Sequence, residues 1–423
     1  MRKISKISLV AAVAVAGFST ANAQPLEEAI KNVDVSGSVV YRYNNYDDSL
    51  NTTDGQTENN NYKIGLNLSS KVNDYVKFNS RFIVGDKTNF AKLDSKKNDV
   101  GDGNADVTLS NAYFGFTAIP NTVVNIGKQG LTTPYTVAVD INGNEQTGTG
   151  ILALSTFGPI TAGAGYFNGT NVYDSGNGIT HIFNKFSTKN LLDTTGTGKG
   201  GLDMYVATVQ GDLDFVKLEA WYAGLQNTFG SYTLAATSNI DLAQDAKIGL
   251  EARYVNLQLN NKAQTNANLT SDDNSMIRLA VDGKFSIVNA RLAYTMTDKD
   301  GGLTALDQDA KNTSLGWTIT SNGMADADYI QAALGVDILD NLNLTAHYGY
   351  LKADKTDAGR TTLSSTVFGT NDEIKQQEVY GQLTYKMSKN LSTYLRYGNF
   401  EQKIGGTKDI DQDMGRLQVA YTF

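Results

Sequence analysis

Between Ala246 and Leu257 charged and apolar residues take turns along the chain. Lys247, Glu251 and Arg253 share one parity; Ile248, Leu250 and Tyr254 share the other. Successive side chains of a β-strand point to opposite faces, so this segment reads as a strand with one charged and one apolar face. The pattern recurs. Lys217 and Glu219 oppose Val216, Leu218 and Tyr222; Arg278, Asp282 and Arg291 oppose Ile277, Leu279, Val281, Leu292 and Tyr294. Glu378, Lys386 and Arg396 oppose Val379, Leu383, Tyr385, Leu395 and Tyr397. Half-buried sheets of soluble proteins also alternate, but their strands are usually shorter.

The first 23 residues read as an export signal. Arg2, Lys3 and Lys6 form the positive end, Ile7 to Phe18 the apolar stretch, and Ala21-Asn22-Ala23 the cleavage motif. This leaves residues 24–423 as one domain. Losing three basic residues takes the formal charge from −8 to −11, which speaks against nucleic acid as a partner. There is no Cys, so neither a disulfide framework nor a thiolate metal site exists.

After Ala23 no apolar run is long enough for a spanning helix. In hydrocarbon only helices and closed barrels satisfy every backbone polar group. Long alternating segments on an exported chain therefore predict an all-β fold, a transmembrane antiparallel barrel. Turning Lys or Arg to lipid at mid-depth costs about 2–4 kcal/mol, which keeps charges on one parity. Lys128 shares parity with Val124 and Ile126, and Asp328 with Ile330; both lie near strand ends, where the penalty falls. With Thr313 to Thr320 left in a loop, the chain yields about 18 strands, an even number as bacterial barrels require. Turn residues such as Pro120-Asn121, Gly158-Pro159 and Asp340-Asn341 mark short connections. They alternate with long ones at 47–60, 87–105, 130–147, 169–200, 258–274, 298–326, 354–373 and 402–413. Short periplasmic turns on one rim and long extracellular loops on the other fit an outer-membrane barrel. Tyrosines near strand ends, among them Tyr113, Tyr222, Tyr254 and Tyr294, are expected to form aromatic girdles.

Two stretches carry a family resemblance. The run from Gln24 through Pro25-Leu-Glu-Glu-Ala-Ile-Lys-Asn-Val-Asp-Val-Ser to Gly37 closely resembles the mature start of the Campylobacter-type (epsilonproteobacterial) major outer membrane porins. The last ten residues place Leu417, Val419, Tyr421 and Phe423 on one parity and resemble the closing strand of outer-membrane barrels. In that class the final Phe, here Phe423 with Tyr421 beside it, belongs to the address read by the barrel-assembly machinery. The resemblance covers the chain in architecture and is specific at its two ends. It implies an eighteen-stranded homotrimeric porin of the Gram-negative outer membrane, embedded in lipid and lipopolysaccharide. Such a porin is a water-filled channel for passive diffusion of small hydrophilic solutes and ions. Some family members hold calcium near the constriction; otherwise no cofactor is implied.

In porins the third long loop folds into the barrel and narrows the pore. Here that loop, Leu131 to Thr147, carries Asp140 and Glu145, which are also the candidate metal ligands. Arg42, Lys77 and Arg81 are expected opposite them, giving a transverse field. Glu251, Arg253, Arg278, Arg291 and Arg396 are expected to line the lumen. Acidic stretches at Asp102–Asp106, Asp298–Asp300 and Asp409–Asp413 lack the spacing of a helix-loop-helix calcium site. His181 and His347 are the only histidines and no Gly-x-Ser-x-Gly elbow occurs, so no enzyme is expected. Clustered loop acids predict a modest cation preference. The other reading is a surface adhesin working through its long loops.

Overall fold

A computed structural model of the chain describes residues 33–50, 55–85, 90–92, 106–172, 203–266, 268–357, 359–364 and 367–423. The export signal, the Gln24–Asn32 start, His181 and Asp102 lie outside the described residues.

Eighteen antiparallel strands form one closed barrel. Each pairs with its neighbours in sequence, and the first, Val33–Asp48, pairs with the last, Thr407–Thr422. Closure runs from Ser38 opposite Thr422 to Asp48 opposite Gln412. The strands vary from 9 residues at Thr122–Gly130 to 18 at Gln56–Asn73. A further two-residue strand, Ala91–Lys92, pairs only with Asn61 and Tyr62.

Parity dictates the two faces. Leu250, Leu279, Leu292, Leu334 and Leu395 are exposed on the outside, as a lipid-facing band requires. Lys128 on that face donates to the Leu109 carbonyl at 2.9 Å, and Asp328 accepts the Tyr294 hydroxyl. Tyr205 and Tyr222 stack on the outer surface with ring centroids 6.1 Å apart. Tyr113 is no part of a girdle: it is buried.

Three connections differ from the expected loops. The stretch 402–413 is not a loop. Leu391–Ile404 and Thr407–Thr422 pair directly and turn through Gly405 and Gly406, both at positive φ, which glycine adopts without steric cost. The 47–60 loop shrinks to residues 49–55, because both flanking strands run on. The 258–274 connection contains a helix, Asn261–Asn266.

Candidate pore constriction and ion sites

Among the described residues, two connections turn into the barrel. Residues 131–146 do so as expected for the third long loop. Tyr135 is fully buried and its hydroxyl accepts from Thr233 on a barrel strand at 3.0 Å. Residues 298–326 also turn inward, which the sequence reading did not foresee. Their Asn312, Thr313, Ser314 and Asn322 are buried although polar. The two inward segments bond to each other through backbone: Leu306 N–H to the Tyr135 carbonyl and Asn312 N–H to the Pro134 carbonyl, both at 2.9 Å.

Barrel side chains fasten each segment. Arg81 donates to Glu145 through Nη2 at 2.8 Å and through Nε to both carboxylate oxygens. Lys63 lies 3.6 Å from the same carboxylate and donates to the Gly143 carbonyl. Such bidentate charge-assisted pairs hold geometry as well as energy. On the other side Arg278 donates to Glu251 at 2.7 Å and to the carbonyls of Lys311 and Thr313. Arg253 donates to Glu251 at 3.0 Å and to Asn312 at 3.4 Å. Arg291 pairs with Asp282 at 2.6 Å. Glu378 accepts the backbone N–H groups of Trp317, Thr318 and Ile319.

The expected residues therefore separate into groups. Arg81 meets Glu145, whereas Asp140 keeps other company. Lys77 shares inward parity but is exposed at the turn end of its strand, opposite Lys71, four residues from Arg81. Arg42 bonds Gln418 at 2.9 Å and lies 4.1 Å from the Phe90 ring. Arg396 bonds Gln382 and faces Trp317 at 4.9 Å. His347 stacks on Tyr380, ring centroids 4.4 Å apart.

The carboxylates that converge are those around Asp140 and not Glu145, whose carboxylate is taken by Arg81 and Lys63. Oxygens of Asp140, Asp307 and Asp309 all lie within 4.8 Å of one another. Asp307 accepts the Val137 N–H and Asp309 the Ile141 N–H, which ties the two inward segments together at this point. Asp309 Oδ1 is buried with no hydrogen-bond partner. Burial, with Asp140 next to it, pushes the Asp309 carboxyl up to about 6. Three converging carboxylates, one of them with an orphaned oxygen, offer oxygen donors of the kind a hard divalent cation such as Ca²⁺ takes. Asp307, Asp309, Lys63 and Arg416 were missed in the sequence. Lys63 alternates with Tyr62 and Ile64, and Arg416 with Leu417, so both stand on the inward parity; the two aspartates have no motif to mark them.

The family model described as Campylobacter major outer membrane protein matches residues 1–423, the whole chain. No protein of curated function matches the sequence significantly. Solved structures share the fold. Pseudomonas aeruginosa OprD is 18% identical with a TM-score of 0.67, over 92% of this chain and 95% of that one. Pseudomonas aeruginosa OpdL is 14% identical with a TM-score of 0.68, over 93% and 99%. Acinetobacter baumannii OccAB3 is 14% identical with a TM-score of 0.69, over 92% and 99%.

Proposed function

The chain belongs to the Campylobacter major outer membrane protein family, and we propose that this outer-membrane barrel is a porin for passive diffusion of small hydrophilic solutes and ions. The observation that carries this is the inward course of residues 131–146 and 298–326, braced by Arg81, Arg253, Arg278 and Glu378. A lumen narrowed by fastened segments suits a size-limited channel rather than an enzyme. An adhesin would present its long loops outward. Steady single channels of purified protein in a planar bilayer support the reading; a barrel that never conducts overturns it.

The selectivity we propose is modestly for cations. Acids at Asp47, Asp48, Asp272, Asp273, Asp298 and Asp409 raise the local cation concentration at the loop-side mouth. The effect fades with salt, as the Debye length falls from about 10 Å at 0.1 M to about 3 Å at 1 M. Reversal potentials in a potassium chloride gradient test it. Anion preference at low salt overturns it.

The cluster of Asp140, Asp307 and Asp309 is proposed to hold a divalent cation, calcium by the family resemblance. Bound there, it would neutralise acids that otherwise repel and would pin one inward segment to the other. Removal of residues 1–23, delivery by the barrel-assembly machinery, contact with lipopolysaccharide and a homotrimeric state complete the proposal. A shallow apolar groove on the outer face, lined by Ala220, Ala236, Ala252, Val209 and Leu234, supports close subunit packing. Native mass in detergent tests the trimer.

A further inference from the structure

Where the two inward segments meet, the charged residues are Asp140, Glu145, Asp307, Asp309 and Lys311. Asp140, Glu145 and Asp307 are buried, and Asp309 is partly buried. Lys311 differs from all four. Its side chain is 62% exposed, and the only water it can meet inside the barrel is that of the lumen.

The base of this side chain is fixed and its end is not. Arg278 on the wall donates to the Lys311 carbonyl at 2.8 Å. The next residue, Asn312, donates its side-chain amide to Thr233 at 2.7 Å and its backbone N–H to the Pro134 carbonyl at 2.9 Å. The ammonium lies 3.6 Å from Glu219, on the barrel strand Val216–Leu225. That is an ion contact but too long for a hydrogen bond. The other oxygen of Glu219 accepts from the Trp221 indole at 3.2 Å. An ion pair with one member in water is weak and screened by salt.

Other cations of the wall are tied down. Arg253 and Arg278 are paired with Glu251, and Lys63 and Arg81 with Glu145. Arg396 and Arg416, directly opposite each other on adjacent strands, donate to Gln382 and Asn44. Lys77 is exposed, but at the turn end of its strand and away from the inward segments.

We propose that Lys311 is the residue that sets the charge preference of the channel, by holding an exposed ammonium in the passage that the inward segments narrow. A fixed charge in a narrow aqueous passage with low-dielectric walls acts on every ion that passes, more strongly than a charge at a wide mouth. It repels cations and draws anions. The proposal rests on the porin reading and adds the deciding residue to it. Acids at the mouth in series with this ammonium give a modest cation preference where the acids alone would give a strong one.

Reversal potentials of the full-length protein in a planar bilayer, in a potassium chloride gradient near 0.1 M, give the ratio of potassium to chloride permeability. A unit charge about 10 Å from the ion path is worth roughly a twofold change in that ratio at this salt. K311Q should raise the ratio roughly twofold, K311E should raise it further, and K311R should leave it as in wild type. K77Q removes the same charge elsewhere and should shift the ratio far less. The native chain has no Cys, so K311C allows the charge to be rewritten in a conducting channel. A thiol reagent carrying an ammonium group should restore the wild-type ratio, and one carrying a sulfonate should raise it beyond that of K311Q. Equal ratios in wild type and K311Q overturn the proposal. Equal shifts in K311Q and K77Q overturn it too, because net charge and not place would then decide. A K311C channel indifferent to both reagents does the same. Each of these results leaves a conducting channel and sinks only this proposal; a protein that forms no channel sinks the porin reading itself.

Discussion

Glu378, on a barrel strand, accepts the backbone N–H of Trp317, in the inward segment, at 2.9 Å. The contact leaves no room between them: a Cβ on Gly316 would lie 1.6 Å from Glu378 Oε1. The carboxylate also takes the next two N–H groups, so it acts as a cap on one turn of the segment. Each such charge-assisted bond is worth about 1.5–3 kcal/mol.

Glu378→Ala and Gly316→Ala should both free the segment around Trp317 while leaving the strands paired. The expected result is noisier single-channel current with a higher mean conductance, and new protease cuts near residues 313–320. Unchanged current in both variants would mean that the cap does not hold the constriction.

Removing Phe423 should cripple assembly. Its backbone exchanges two hydrogen bonds with Gly37, at 2.9 and 3.1 Å, and its ring stacks on Tyr421. The truncated protein loses the end of the closing seam together with its address. Normal amounts of it in the outer membrane would refute this.

Single cysteines can report the register, since the native chain has none. At Arg291, which is 39% exposed at its side chain, a water-soluble thiol reagent should label in intact vesicles. At Arg253, packed against Asn312, labelling should be slower. At Leu250 and Leu292, exposed on the outer face, labelling should be absent while the barrel sits in lipid. Fast labelling of the leucine positions would place those strands one residue out of register, which flips every side chain.

Chelation should loosen the constriction. With calcium present, wild-type protein should resist proteolysis within 131–146 and 298–326 better than after EDTA treatment. The double change Asp307→Asn with Asp309→Asn should abolish the difference. Identical cleavage with and without calcium would remove the metal from the account.

The barrel was legible because the lipid imposes a rule that the sequence cannot break cheaply. Arg253 and Leu250 could each take only one face, and the strand assignments followed from that. The inward course of 298–326 carried no such mark. Thr313, Ser314, Thr320 and Asn322 are the residues of a solvated loop, and their bonds to one another, to Arg278, to Thr295 and to the backbone of Thr304 and Ala305 make burial tolerable. The partnership of Asp140 with Asp307 and Asp309 was hidden for another reason. It joins residues nearly 170 positions apart, and no local spacing encodes it. The arginine pair 396 and 416 needed the register of two strands; parity alone gave the inward direction of each but not their confrontation.

The turning of 131–146 and 298–326 into the barrel divides the chain between two audiences. A molecule too large to enter the lumen, such as an antibody or a phage tail, can touch neither Tyr135 nor Asn312. Substitutions that let the cell evade such molecules are therefore expected on the connections left outside, and those that alter permeability on the two within. One surface can change under attack while the other is kept.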